Sequence, residues 1–174
     1  MSALRFIKQV EVTSSSSIVE ITDVFSADFD IYQIVSSNLA NASTGTSGTF
    51  RAINSSGSAI TSGYQYAGLS MTDFTAFVEE KSTSATQISE FFGVGYGTTS
   101  SHNGNSVSWC FNPYQSNRYT FFINQSSSGS LRTKKQIAVL PQNTSITGFQ
   151  IYDTTTARPF VEGLIKVYGL RVDS

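Results

Sequence analysis

The sequence predicts an all-β protein: one β-sandwich domain over residues 1–174, jelly-roll-like, with mostly antiparallel strands. Three observations carry this. Ser and Thr supply 48 of the 174 residues and aromatics 13%, while charged residues are only 13%, about half the usual share. Aromatic and β-branched side chains suit a half-buried pleated surface, and a chain so rich in rings and so nearly neutral does not have the composition of a disordered one. Apolar residues also alternate in short runs, broken by Gly-, Ser- and Asn-rich turns about every ten residues, the cadence of a sandwich. Finally, the two densest β stretches, Phe25 to Leu39 and Leu164 to Val172, lie far apart in sequence. Their pairing would close a sheet.

Taken in order, Phe6 to Val12 reads as a first strand. Ser14 to Ser17 turns it and Ile18 to Ile21 returns, predicting a hairpin. In the next stretch Tyr32, Ile34 and Ser36 share a face, while Ile31, Gln33 and Val35 do not alternate cleanly, so both faces are partly covered and the strand is central. Tyr32 and Tyr168 are expected in the core. Thr49 to Ile53, Ile60 to Ala67 and Gln87 to Val94 follow as strands, with Leu69 to Lys81 strand or irregular despite a hint of helical spacing at Phe74, Phe77 and Val78. Thr98 to Asn105 is a long exposed loop. Val107, Trp109 and Phe111 then lie together on one face of a strand, opposite Cys110, and Asn112-Pro113 ends it. Arg118 to Gln125, Leu131 to Val139, Ile146 to Tyr152 and Gly163 to Val172 complete ten to twelve strands. Lys134-Lys135 reads as a solvated basic spot.

Charge and motifs narrow the function. A net charge of −1 argues against a general nucleic-acid binder, no stretch is long and apolar enough for a membrane span, and nothing at the start has a leader's apolar core. A lone cysteine cannot form an internal disulfide, which fits synthesis in a reducing cytoplasm. His102 is the only histidine, and no Gly-x-Ser-x-Gly elbow accompanies it. Cys110 sits inside a strand without a second histidine for a dyad, as a structural thiol does. Asp28 and Asp30 can project together, but ordering a turn and accepting amide hydrogen bonds is their simpler role. One Cys and one His make no metal cluster, and Gly93-Val-Gly-Tyr-Gly97 lacks the lysine and helix of a phosphate loop. No cofactor and no catalytic residue is expected.

Binding is the better expectation. Tyr64, Tyr66, Tyr96, Trp109, Tyr114 and Tyr119 have the rings that stack on sugars. Strand aromatics are core residues by default, so Tyr96 and Tyr114, in loops, are the ones free to do so. With His102 in its exposed loop they form the candidate ligand or partner contacts.

Four pieces carry a resemblance: Phe29-Asp-Ile-Tyr-Gln-Ile-Val-Ser-Ser-Asn-Leu39, Thr61-Ser-Gly-Tyr64, Phe111-Asn-Pro113 and Gly163-Leu-Ile-Lys-Val-Tyr-Gly169. In this order they resemble a series in small bacteriophage virion proteins, with Phe29 standing where a tyrosine is usual before the aspartate. The resemblance implies a β-sandwich module of the virion, made in the host cytoplasm, without catalysis or cofactor. A short module whose first strand begins near Phe6 leaves no shaft, which favours a decoration or cement protein on the head exterior over a tail part. Its partners would be other virion proteins, the major capsid protein above all, and further copies of itself, a trimer being one arrangement. The alternative is a tail-associated adhesin that binds a host surface glycan.

Overall fold

The computed structural model describes residues 4–13, 15–43, 48–72, 77–96, 103–128, 132–154 and 158–170, with the backbone alone of Tyr96. Among them the chain forms thirteen strands: β1 (Leu4–Val12), β2 (Ile18–Ile21), β3 (Ile31–Asn41), β4 (Gly48–Asn54), β5 (Tyr64–Thr72), β6 (Val78–Ala85), β7 (Ile88–Phe92), β8 (Gly95–Tyr96), β9 (Gly104–Phe111), β10 (Thr120–Ser128), β11 (Arg132–Leu140), β12 (Ile146–Tyr152) and β13 (Phe160–Leu170). They build a jelly-roll-like sandwich of two sheets. The large sheet runs β1-β13-β3-β9-β10-β11-β5-β6, with β8 beside β3, and the small one runs β2-β12-β4-β7. Every ladder is antiparallel except the short β3–β8 pair.

The central strand is where its residues place it. β3 lies between β13 and β9, and Tyr32, Ile34 and Ser36 all point into the sandwich. Its pairing with β13, Tyr168 opposite Gln33 and Ile165 opposite Ser36, joins the two dense stretches. The first hairpin does not form. β1 pairs with β13 in the large sheet and β2 with β12 in the small one, so the two strands belong to different layers. Alternation alone cannot distinguish a turn from a crossing.

The core between the sheets is built from rings. Phe50 stacks on Phe149 with centroids 5.5 Å apart and meets Phe122 of the large sheet edge-on at 4.9 Å, while Phe91 closes on Phe50 at 5.1 Å. Two fully buried tyrosines find partners for their hydroxyls, as burial requires. The Tyr32 hydroxyl donates to Ser26 O at 2.9 Å and accepts from Ser26 N–H. The Tyr64 hydroxyl, from the large sheet, accepts from Ala52 N–H at 2.8 Å in the small one and donates to Ile60 O at 3.0 Å. Tyr168, also expected in the core, lies instead on the outer face of β13, half-buried and edge-on to Phe6 with centroids 5.8 Å apart. The core face of β13 belongs to Ile165 and Val167.

The motif pieces prove to be joints. Gly63 has φ +84°, and a Cβ there would lie 2.4 Å from Gln142 Nε2. A Cβ on Gly169 would strike the Phe29 ring at 2.4 Å, so that ring is seated on a glycine. Asn112 turns with φ 56° and donates its N–H to Asp30 O at 2.7 Å.

Candidate functional site

The distribution of polarity across β9–β11 decides where a site can lie. In the stretch Ser106 to Phe111 the serines and Cys110 point inward, while Val107, Trp109 and Phe111 point out. On β10, Asn124 and Ser126 are buried and Phe121 and Ile123 exposed; on β11, Lys134 and Gln136 are buried and Ile137 is 62% exposed. The usual inside–outside rule is inverted here. Strand aromatics expected in the core, Trp109 among them, therefore stand on the outer surface, and Tyr119, just before β10, is exposed as well.

Three rows of residues in register cross the outer face of the large sheet. The first is Leu4, Leu170, Ile31, Phe111, Phe121, Val139 and Gln65; the second is Phe6, Tyr168, Gln33, Trp109, Ile123, Ile137, Ala67 and Lys81. The third, Gln9, Lys166, Val35, Val107, Gln125, Lys135, Leu69 and Glu79, brings in charge. At the β5–β6 end the face is concave. A groove of about 560 Å³ is lined by Phe111, Phe121, Ile123, Ile137 and Val139 over Ala67 with Lys81 at its rim, and a second of about 540 Å³ continues it past Leu69. The floor of the first groove is mostly hydrocarbon, while Glu79, Gln125 and Lys135 bring polar groups into the second.

The inner face at this end is correspondingly polar. Ser36 Oγ and Ser106 Oγ are 2.6 Å apart, and Ser108 Oγ donates to Asn124 Oδ1 at 2.9 Å. Lys134 is not a solvated spot: it is 2% exposed, with its ammonium 2.5 Å from Glu80 and 3.5 Å from Glu90. Arg132 binds the same two carboxylates at 2.8 Å each. Burial opposes ionisation of Glu80, but Lys134 and Arg132 outweigh it and hold its carboxyl below the usual range. Since Glu90 belongs to β7 and the other three to β6 and β11, the four charges tie the small sheet to the large one. Burial alone pushes the Cys110 thiol well up, which leaves it a neutral core group.

Of the sequence-predicted contacts, Tyr96 and Tyr114 stand at opposite ends of β3. His102 lies outside the described residues, and of Tyr96 only the backbone is placed, beside Asn41 at one end of β3. Tyr114 is 39% exposed in the loop after β9, near the Ile31 end, roughly 30 Å away at about 3.3 Å per strand residue. That loop forms part of a shallow pocket of about 450 Å³ lined by Asn112, Asn117, Arg118, Tyr119, Phe121 and Asn143. Asp28 orders a turn with Ser26, and Asp30 accepts from the Gln115 amide at 3.1 Å. Among the described residues no three His, Cys, Asp or Glu side chains cluster to hold a metal. Comparison with known protein families and with curated proteins gave no match.

Proposed function

We propose that this chain is a non-enzymatic structural protein that works by being packed into a larger protein assembly through the outer face of its large sheet. The assembly is a bacteriophage particle, whose head exterior the protein decorates in contact with the major capsid protein. One observation carries the packing: a continuous apolar face, with Phe6, Phe121, Ile123 and Ile137 each about half exposed, backed by polar interior positions. A chain that turns hydrocarbon outward and hydroxyls inward gains from a covering layer. The particle itself is supported by the resemblance of the four motif pieces and by a surface with few charges to desolvate. The test is a paired change, Ile123→Lys with Ile137→Lys. Incorporation into purified particles is expected to fall while the isolated protein stays folded by circular dichroism. Counting against the major capsid protein then separates locations, since a decorated head lattice requires hundreds of copies and a tail part only tens.

A second reading has its own observation. The pocket that holds Tyr119 and Phe121, both about half exposed, is lined as well by Asn112, Asn117, Arg118 and Asn143. A pair of exposed rings beside polar residues suits a host glycan, whereas the apolar floor of the sheet groove offers a sugar little to hydrogen-bond. Glycan-array binding lost on Tyr119→Ala and Asn117→Ala, with particle incorporation intact, would make the protein an adhesin.

A further inference from the structure

We infer that the partner covering the outer face is a second copy of this chain, stacked face to face about a two-fold axis parallel to the strands and midway between β9 and β10. This rests on the reading that the face is covered by protein. Area speaks first. Leu4, Phe6, Val107, Phe121, Ile123 and Ile137 are 41–62% exposed. With large side chains presenting on the order of 150–250 Å² when free, these six alone leave about 500 Å² of apolar surface in water. That is near the top of the range for monomers, roughly 300–600 Å². Half-buried Trp109, Phe111, Tyr168 and Ile31 carry the face toward the ~800 Å² per partner of a stable interface.

The strand order supplies the symmetry. Four strands lie on each side of the β9/β10 boundary: β1, β13, β3 and β9 on one, β10, β11, β5 and β6 on the other. The rotation lays β9 on β10, β3 on β11, β13 on β5 and β1 on β6, so each row meets itself reversed. Large then meets small. Tyr168 lies over Ala67 and Phe6 beneath Lys81, an aromatic ridge entering the 560 Å³ groove of the other copy with a cation over its ring. Phe111 meets Phe121, Ile31 meets Val139 and Gln33 lies over Ile137; in the third row Lys166 lies over Leu69, with Glu79 on the neighbouring strand, and Lys135 over Val35. An axis across the strands would instead lay each strand on its own copy, so that in the middle row Lys81 faces Lys81 and Tyr168 faces Tyr168, setting like charges together and leaving the groove of each copy opposite the other's groove with no ridge to fill it. The chosen contact is isologous and closes on itself, without open-ended growth.

Sedimentation equilibrium of the intact protein tests this, together with cross-linking by a short bis-maleimide. A dimer is expected, with Ile137→Lys raising its dissociation constant on the order of 30-fold or more, as loss of a central anchor does. A mixture of Phe6→Cys and Lys81→Cys chains is expected to cross-link between chains, while either variant alone does not; buried Cys110 stays unlabelled in the folded protein. A dimer indifferent to Ile137→Lys, a trimer, or cross-linking of Phe6→Cys to itself overturns the inference. A monomer that still needs Ile123 and Ile137 to join particles overturns it too, but leaves the proposed function standing with a different occupant. If neither self-association nor incorporation depends on this face, both fall.

Discussion

Replacing Tyr64 by phenylalanine removes one oxygen from the middle of the sandwich, and its cost follows from what that oxygen does. Tyr64 is fully buried, and its hydroxyl satisfies Ala52 N–H in one sheet while donating to Ile60 O beyond it. The ring still fits, so no cavity opens. Ala52 is fully buried too, and its orphaned N–H costs about 1–3 kcal/mol. Ile60 is only partly buried, so water can serve its carbonyl and the second bond adds about 0.5–1 kcal/mol. The expected loss is about 2–3 kcal/mol, a melting shift of roughly 4–12 °C at about 2–4 °C per kcal/mol for a chain of this size. Tyr64→Ala removes the ring as well and should cost about 3–5 kcal/mol or more. Urea titration measures both, with the slope m unchanged if only the native state is altered. Alkali gives an independent check. Burial raises the Tyr64 pKa well above its ordinary value of 10, so above that value the unfolded chain loses the proton first and stability falls as pH rises. Tyr64→Phe should flatten that alkaline decline. A variant within about 0.5 kcal/mol of the parent, the ordinary range of surface changes, and with the same alkaline slope would refute the account of this bridge.

The two tyrosines of the paired strands β3 and β13 should separate: Tyr32→Ala costs about 3–5 kcal/mol, and Tyr168→Ala, on the outer face, about 1 kcal/mol in the isolated chain; equal melts would contradict their placement. Glu80→Gln leaves Lys134 short of a counter-charge and should cost about 1–3 kcal/mol, below the figure for a fully buried pair because Glu80 is partly exposed. Since the folded carboxyl is held below its unfolded value, this stability is complete above the unfolded pKa and is lost as pH falls through the folded one. The variant should therefore show a shallower acid transition, and an unaltered one would dissolve the cluster. Cys110→Ser puts a hydroxyl where a buried thiol stands and should cost about 1–2 kcal/mol, while His102→Ala should leave the melting temperature unchanged.

The sequence made the sandwich readable because its strongest signals are local. Strict alternation in β9, short apolar runs elsewhere and Gly- or Asn-marked turns placed most strands within a few residues, and the dense runs of β3 and β13 declared their own pairing. Gly104 and Asn105, read as loop, lie in β9, and the strand expected from Ile60 begins at Tyr64. What stayed hidden was side. The pattern of Ser106-Val107-Ser108-Trp109 is the same whether the hydroxyls face water or the core, and the default answer was the wrong one. The neighbours could have corrected it: Asn124, Ser126, Lys134 and Gln136 share registers with Ser106 and Ser108, so three adjacent strands would have had to agree on one inversion. Tyr168 misled for the same reason, since β13 is apolar on both faces. The candidate contacts Tyr96, His102 and Tyr114 were chosen on the rule that loop rings are free and strand rings are not. A sheet with an uncovered apolar face breaks that rule.

Leu4 and Leu170 are ladder partners at one edge of the large sheet, with β1 and β13 running antiparallel between Val12 and Leu170. The described path therefore begins and ends side by side, at a spacing of about 5 Å between facing Cα atoms. A linker of a few residues could join these two points without crossing the body, and new ends could be opened in the Asn54–Ser58 turn, which is exposed and closed by its own hydrogen bonds. Such a circularly permuted chain would keep both sheets. By the same geometry the domain can be spliced into a surface loop of another protein as a bead hung from two adjacent threads, presenting its broad face outward while the host's own chain is interrupted by only a few ångströms.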